Sequence, residues 1–144
     1  MRGIWRRIMG DRSPQIQDQL RALLRTHCVA LNEQIGTVGN LLDEGLGAKD
    51  GRAIDNALSL TRQINGDSGS LGYPELAAAA ASLGENLRRL ADHSQPMQEN
   101  VVHESRELFA QLKAAATAST PEGSTLYDTS IPSDFLYSFD QPSY

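Results

Sequence analysis

The sequence predicts an all-α protein: an antiparallel four-helix bundle with a short N-terminal helix and a flexible C-terminal tail. Ala and Leu are abundant while aromatic residues make up only 6% of the chain, a composition that suits helices better than strands. Apolar residues recur at three- and four-residue steps in four successive stretches. Pro and Gly fall between those stretches, where helices start and stop.

The first helix is expected to begin at Ser13-Pro14, an N-cap followed by a proline whose missing N–H is harmless at the first helical position. Ile16, Leu20, Leu23, Leu24, Leu31, Ile35, Val38, Leu41 and Leu42 then form one stripe, and Gly45 and Gly47 offer stops. Asp50 or a neighbour opens the second helix, with Ala57, Leu60, Ile64, Ser68 and Leu71 on one face and Arg62 and Gly66 on the other. Pro74 starts a third helix whose stripe is Leu76, Ala79, Ala80, Leu83, Leu87 and Leu90, ending between Ala91 and Ser94. Gln95-Pro96 reopens a helix carrying Met97, Val101, Leu108, Leu112 and Ala115. Such stripes are unstable alone and bury against one another, and short connections favour an antiparallel bundle.

At 144 residues and 15.7 kDa the chain suits one domain, divided into a basic segment over 1–12, a bundle over 13–118 and an acidic, aromatic tail over 119–144. The net charge of -5 argues against nucleic-acid partners, which require a basic face. Single Cys28 rules out an internal disulfide framework and fits a reducing, cytoplasmic compartment, and no signal-peptide run precedes Pro14. Residues 1–12 hold four Arg against Asp11, whereas Glu122, Asp128, Asp134 and Asp140 follow Lys113 with no basic residue, so the two ends can attract each other or different partners. In the tail, Ile131, Phe135 and Phe139 are spaced by four, as in a docking helix, either for a partner or for the bundle's own groove. Around Trp5, Arg2, Arg6 and Arg7 would suit contact with anionic lipid, although a short helix capping the bundle is the simpler role.

The most informative stretch runs from Leu60 to Gly72, followed by Tyr73-Pro74-Glu75-Leu76. It resembles the signature of the histidine-phosphotransfer (HPt) family, in which a helix presents His, any residue, an aliphatic, Lys and Gly, then small residues, then an aliphatic-Gly pair. Ile64 falls on the aliphatic, Gly66 on the glycine, Ser68 and Gly69 on the small positions and Leu71-Gly72 on the closing pair. The resemblance covers roughly residues 14–118. It departs at two positions: Arg62 occupies the place of the phosphoacceptor histidine and Asn65 that of the assisting lysine.

Phosphotransfer needs a neutral imidazole nitrogen as nucleophile and positive charge beside the transferred group. A guanidinium stays protonated, with a pKa above about 12, and has no lone pair to attack phosphorus. The resemblance therefore implies a module of two-component signalling that binds receiver domains of response regulators or hybrid kinases without transfer at the usual site. Its expected docking surface comprises Leu58, Arg62, Asn65, Gly66 and Gly69, with Arg62 entering the acidic receiver pocket as a charged plug. An ordinary helix-turn-helix corner would instead use Gly66, Gly69 and Gly72 for turning and packing alone.

Each histidine also has a plain structural role. His27 lies within the first stripe and is expected to be a buried, hydrogen-bonded core residue. His93 would interact with the carboxyl end of the third helix. His103 faces away from its stripe and begins His103-Glu104-Ser105-Arg106, a weak likeness to the phosphoacceptor box of dimeric sensor kinases, which makes it the alternative phosphoacceptor. No phosphate-cradling loop, nucleophile elbow or metal-binding His pair is visible, so no enzymatic activity, cofactor or metal is expected.

Overall fold

The apolar stripes become four α-helices: α1 (Arg2–Leu42), α2 (Gly51–Ser70), α3 (Pro74–Leu90) and α4 (Glu99–Ala118). The computed structural model describes residues 2–93 and 96–128, with side chains from residue 14 onward, and contains no strand among them. The helices share one core built from Leu24, Leu31, Val38, Ile54, Ile64, Leu76, Leu83, Leu87 and Leu112, all at or near complete burial. Helix α3 packs most extensively on α2 and next on α4, while α1 contacts both α2 and α4. No described helix is long and apolar enough to cross a membrane.

The expected break at Ser13-Pro14 does not occur. Helix α1 continues through Pro14 to Arg2, so the backbone of residues 2–12 is part of the long helix. Proline's fixed φ is compatible with that path, but the missing N–H costs about 3 kcal/mol inside a helix. At the other end, Gly45 and Gly47 do not simply stop the helix. They lie in a π-helical turn, Asp43–Gly47, in which Gly45 lies against Ile54 so closely that a Cβ would overlap its side chain. Asp50 is the N-cap of α2, its carboxylate accepting from the backbone N–H groups of Arg52 and Ala53, and Pro74 opens α3 as expected.

Burial refines the stripes. Leu23 is 51% exposed although it shares the sequence periodicity, because the core side of α1 passes through Leu24 instead. Ala53, Ile54, Leu58 and Thr61 join Ala57, Ile64 and Ser68 on the inner face of α2. Helix α4 begins at Glu99 and adds Ser105 and Ala116 to the buried set, while Met97 lies partly buried before it.

Sequence reasoning assigns all of 119–144 to a tail, but residues 119–128 are folded onto the helices. A 3₁₀ turn (Pro121–Gly123) leads into Ser124 and Tyr127, which return to the α2–α3 corner and to α1. Thr125 N–H donates to the Gly72 carbonyl (2.9 Å), and Ser124 Oγ donates to the Leu71 carbonyl (2.6 Å). Tyr73 Oη donates to the Thr120 carbonyl (2.8 Å). Phe135 and Phe139 lie outside the described residues.

Gly72 has φ +86, a left-handed conformation, and a Cβ there would meet Ser124 Oγ and Thr125 Oγ1, each at 2.6 Å. Gly66 has open space around it. Gly72→Ala is therefore expected to destabilise the fold by about 1–3 kcal/mol, whereas Gly66→Ala should stabilise it by about 0.5–1 kcal/mol, both read from urea denaturation midpoints. Equal effects from the two substitutions would contradict this division of roles.

Candidate functional site

The rotation of α2 is set by its buried residues. Ala57, Thr61, Ile64 and Ser68 face the core, which leaves Arg62, Gly66 and Gly69 exposed and Asn65 half-buried at the edge. Arg62 and Asn65 line one side of an open cleft of about 250 Å³ between α2 and α3, and Ala80, Ala81, Gly84 and Glu85 line the other. Its α3 wall is mostly small, and the nearest neighbour to a Cβ placed on Gly84 would be Thr61 Cγ2 at 3.9 Å; beyond the cleft, a Cβ on Gly69 would meet nothing nearer than Ala77 Cβ at 3.8 Å. Four of the five expected docking residues thus share one face. Leu58, one turn before Arg62 on the same side of α2, is only 8% exposed and belongs to the core.

The charge pattern of this face was only partly visible in the sequence. Arg88 Nη2 donates to Glu85 Oε1 at 2.6 Å, one turn apart on α3, and the pair is exposed. That hydrogen bond, with the Arg88 charge behind it, holds the Glu85 carboxyl below the usual carboxylate range, and Arg89 and Arg62 add in the same direction. One carboxylate therefore sits among three guanidinium groups, leaving the face with a positive balance. The i,i+3 spacing of Glu85 and Arg88 foreshadows their pairing, but their placement across from Arg62 depends on how α2 and α3 pack.

Beneath the face lie buried polar groups of α2 and α3. Thr61 Oγ1 and Ser68 Oγ are buried without a hydrogen-bond partner among the described residues. Asn86, also buried, donates from Nδ2 to Ser105 Oγ at 3.5 Å, linking α3 to α4.

The histidines are scattered. His27 is 8% exposed, as a core residue should be, but its Nε2 has no partner among the described residues, so the expected hydrogen bond at that atom is absent. Its ring instead stacks on Tyr73, with centroids 5.5 Å apart. Tyr73 in turn approaches Cys28 Sγ at 3.4 Å, and burial, reinforced by that thiol, pushes its phenol well above the ordinary range. His93 lies beyond the end of α3 and, rather than capping it, places Nε2 3.1 Å from Asp55 Oδ1 on α2. His103 is 76% exposed on α4 and pairs with Glu107 at 3.2 Å. Among the described residues no group of three or more His, Cys, Asp or Glu is placed to hold a metal ion.

No family model, curated protein or solved structure matches the chain.

Burial lowers the pKa of His27 below its ordinary value of 6.5, and the Asp67 charge offsets this only in part. The unfolded chain then binds the proton more readily than the folded one. The stability gained by keeping His27 neutral is present above pH 6.5 and is lost as the pH falls through 6.5 toward the lower folded value. Denaturant titrations between pH 8 and pH 5 should show this decline, and His27→Phe should flatten it; an unchanged slope in the variant would contradict it.

Proposed function

We propose that this chain is a receiver-binding module of the HPt type that modulates a phosphorelay without carrying the phosphoryl group at the usual position. In this reading the four helices run antiparallel as in that family, and the protein acts in the cytoplasm on the receiver domain of a response regulator or hybrid kinase. The observation that carries it is the exposed Arg62 guanidinium, placed on α2 one turn before the open Gly66 and at the rim of the cleft with Asn65.

The chemistry of that face favours docking over transfer. Small residues allow another surface to approach the α2 backbone, and the guanidinium can form paired, charge-assisted hydrogen bonds to a carboxylate or phosphoryl group. Gly66 lies in the second half of α2, where it costs about 0.5–1 kcal/mol relative to Ala, and close approach of a partner gives that cost a purpose. Competition with true phosphotransfer proteins for the same receiver would make the module an inhibitor or modulator.

Transfer through His103 is the alternative that its exposure permits. Its surroundings oppose it: Glu104 and Glu107 put negative charge where an incoming phosphoryl group needs positive charge. Acid-labile label on His103 after incubation with a phosphorylated receiver would assign transfer there.

Binding tests the docking reading directly. Against receiver domains from the source organism, Arg62→Ala should weaken affinity about tenfold or more, corresponding to the loss of one charge-assisted contact of about 1.4 kcal/mol or above. Arg62→His, with a shorter and only partly charged side chain, should fall between. Unchanged calorimetric affinity in both variants would sink the plug role of Arg62.

A further inference from the structure

Helix α1 is much longer than the helices beside it. At 1.5 Å per residue its 41 residues extend about 62 Å, against about 30 Å for the 20 residues of α2 or α4. Among the described side chains, full burial begins only at Leu24. Before Leu24, the described side chains of α1 are exposed or partly buried, with Leu20 at the edge of the core.

The folded strap that follows α4 meets α1 at Arg21. Arg21 holds it there in three ways. Its guanidinium carbon lies 4.4 Å from the centroid of the Tyr127 ring, and its Nε and Nη2 donate to the Tyr127 carbonyl, both at 3.4 Å. Its Nη2 also lies 3.9 Å from Asp128 Oδ1. Asp128, the last described residue, consequently lies beside the middle of α1.

Charge and apolar spacing match between these two parts of the chain. Pro132 suits the first turn of a helix and Pro142 ends one, so a helix of residues 132–141 would span about 15 Å, within the roughly 28 Å of α1 from Arg2 to Leu20. The segment 2–12 contributes four arginines against one aspartate, whereas 129–144 contributes Asp134 and Asp140 and no basic residue. Ile16, Leu20 and the half-exposed Leu23 follow i, i+4, i+7 spacing next to Arg21, and Ile131, Phe135 and Phe139 follow i, i+4, i+8 spacing.

We propose that residues 129–144 dock along the N-terminal half of α1, with Ile131, Phe135 and Phe139 on its apolar strip and Asp134 and Asp140 among its arginines. Attachment at Asp128 makes the contact intramolecular, at an effective concentration that a free partner in solution rarely reaches. The acidic segment also shields arginines that would otherwise bind anionic surfaces. Docking weakens as salt screens the exposed charges.

Trp5 is the single tryptophan of the chain and reports on this contact. Its emission and acrylamide quenching are compared in the full chain, in Asp134→Lys/Asp140→Lys, in Phe135→Ala/Phe139→Ala, and in a charge-swapped chain that adds Arg6→Glu/Arg7→Glu to the two lysines. The wild type should show protected, blue-shifted emission independent of protein concentration. Both tail variants should lose protection with a red shift, and the swapped chain should regain it. Emission indifferent to the tail variants would overturn the proposal. Protection that disappears on dilution would overturn it in favour of a second copy, and protection that arises only with vesicles of anionic phospholipid would overturn it in favour of a membrane surface.

Discussion

The rotation of α2 about its own axis is the constraint on which the rest depends. Ile54, Ala57, Thr61, Ile64 and Ser68 are buried on one side, and their contacts with α1 and α3 allow α2 only one orientation. Turning the helix to hide Arg62 would drive Ile64 toward solvent, at about 2–3 kcal/mol for that side chain alone, and would carry a guanidinium into the core. The outward placement of Arg62, Gly66 and Gly69 follows from the core rather than from any interaction they make themselves.

The same core accepts a cost beneath the candidate face. Thr61 Oγ1 and Ser68 Oγ are buried without partners among the described residues, and an unmade hydrogen bond of this kind costs about 1–3 kcal/mol. Their small size lets α2 approach α3 closely, with Thr61 in ordinary van der Waals range of the Gly84 position. The strap stiffens the other end of this pair of helices: Gly72, Leu71 and Tyr73 at the α2–α3 corner are each hydrogen-bonded to residues between Thr120 and Thr125. His27 stacked on Tyr73 extends that anchorage to α1. The candidate face is thus held from below by packing and at its end by a chain segment that follows α4.

Much of this was legible in the residues. The four stripes, the Asp50 cap and the Pro74 start are local signals, and local chemistry decides them. The outward position of Arg62 and Gly66 follows from 100° per residue once Ile64 is placed inside. What the sequence concealed depends on contacts between distant positions. The strap uses backbone carbonyls of Leu71 and Gly72, which carry no sequence signature. Leu23 and Leu24 are adjacent leucines, and only packing decides which is buried. Ser13-Pro14 has the local form of an N-cap and first helical position, yet the helix runs through it. Leu58, expected on the docking surface, is buried, because the inner face of α2 is broad enough to include it.

The central claim is that the face is that of a phosphotransfer module lacking only its reacting groups. The most direct measurement introduces them together: Arg62→His with Asn65→Lys, incubated with a phosphorylated receiver domain that the wild type binds, followed by detection of acid-labile phosphate on the chain. Label at position 62 in the double variant and none at that position in the wild type is the predicted result. A double variant that still binds the receiver but takes up no phosphate would contradict the claim, because the geometry around position 62 would then not be that of a phosphotransfer site.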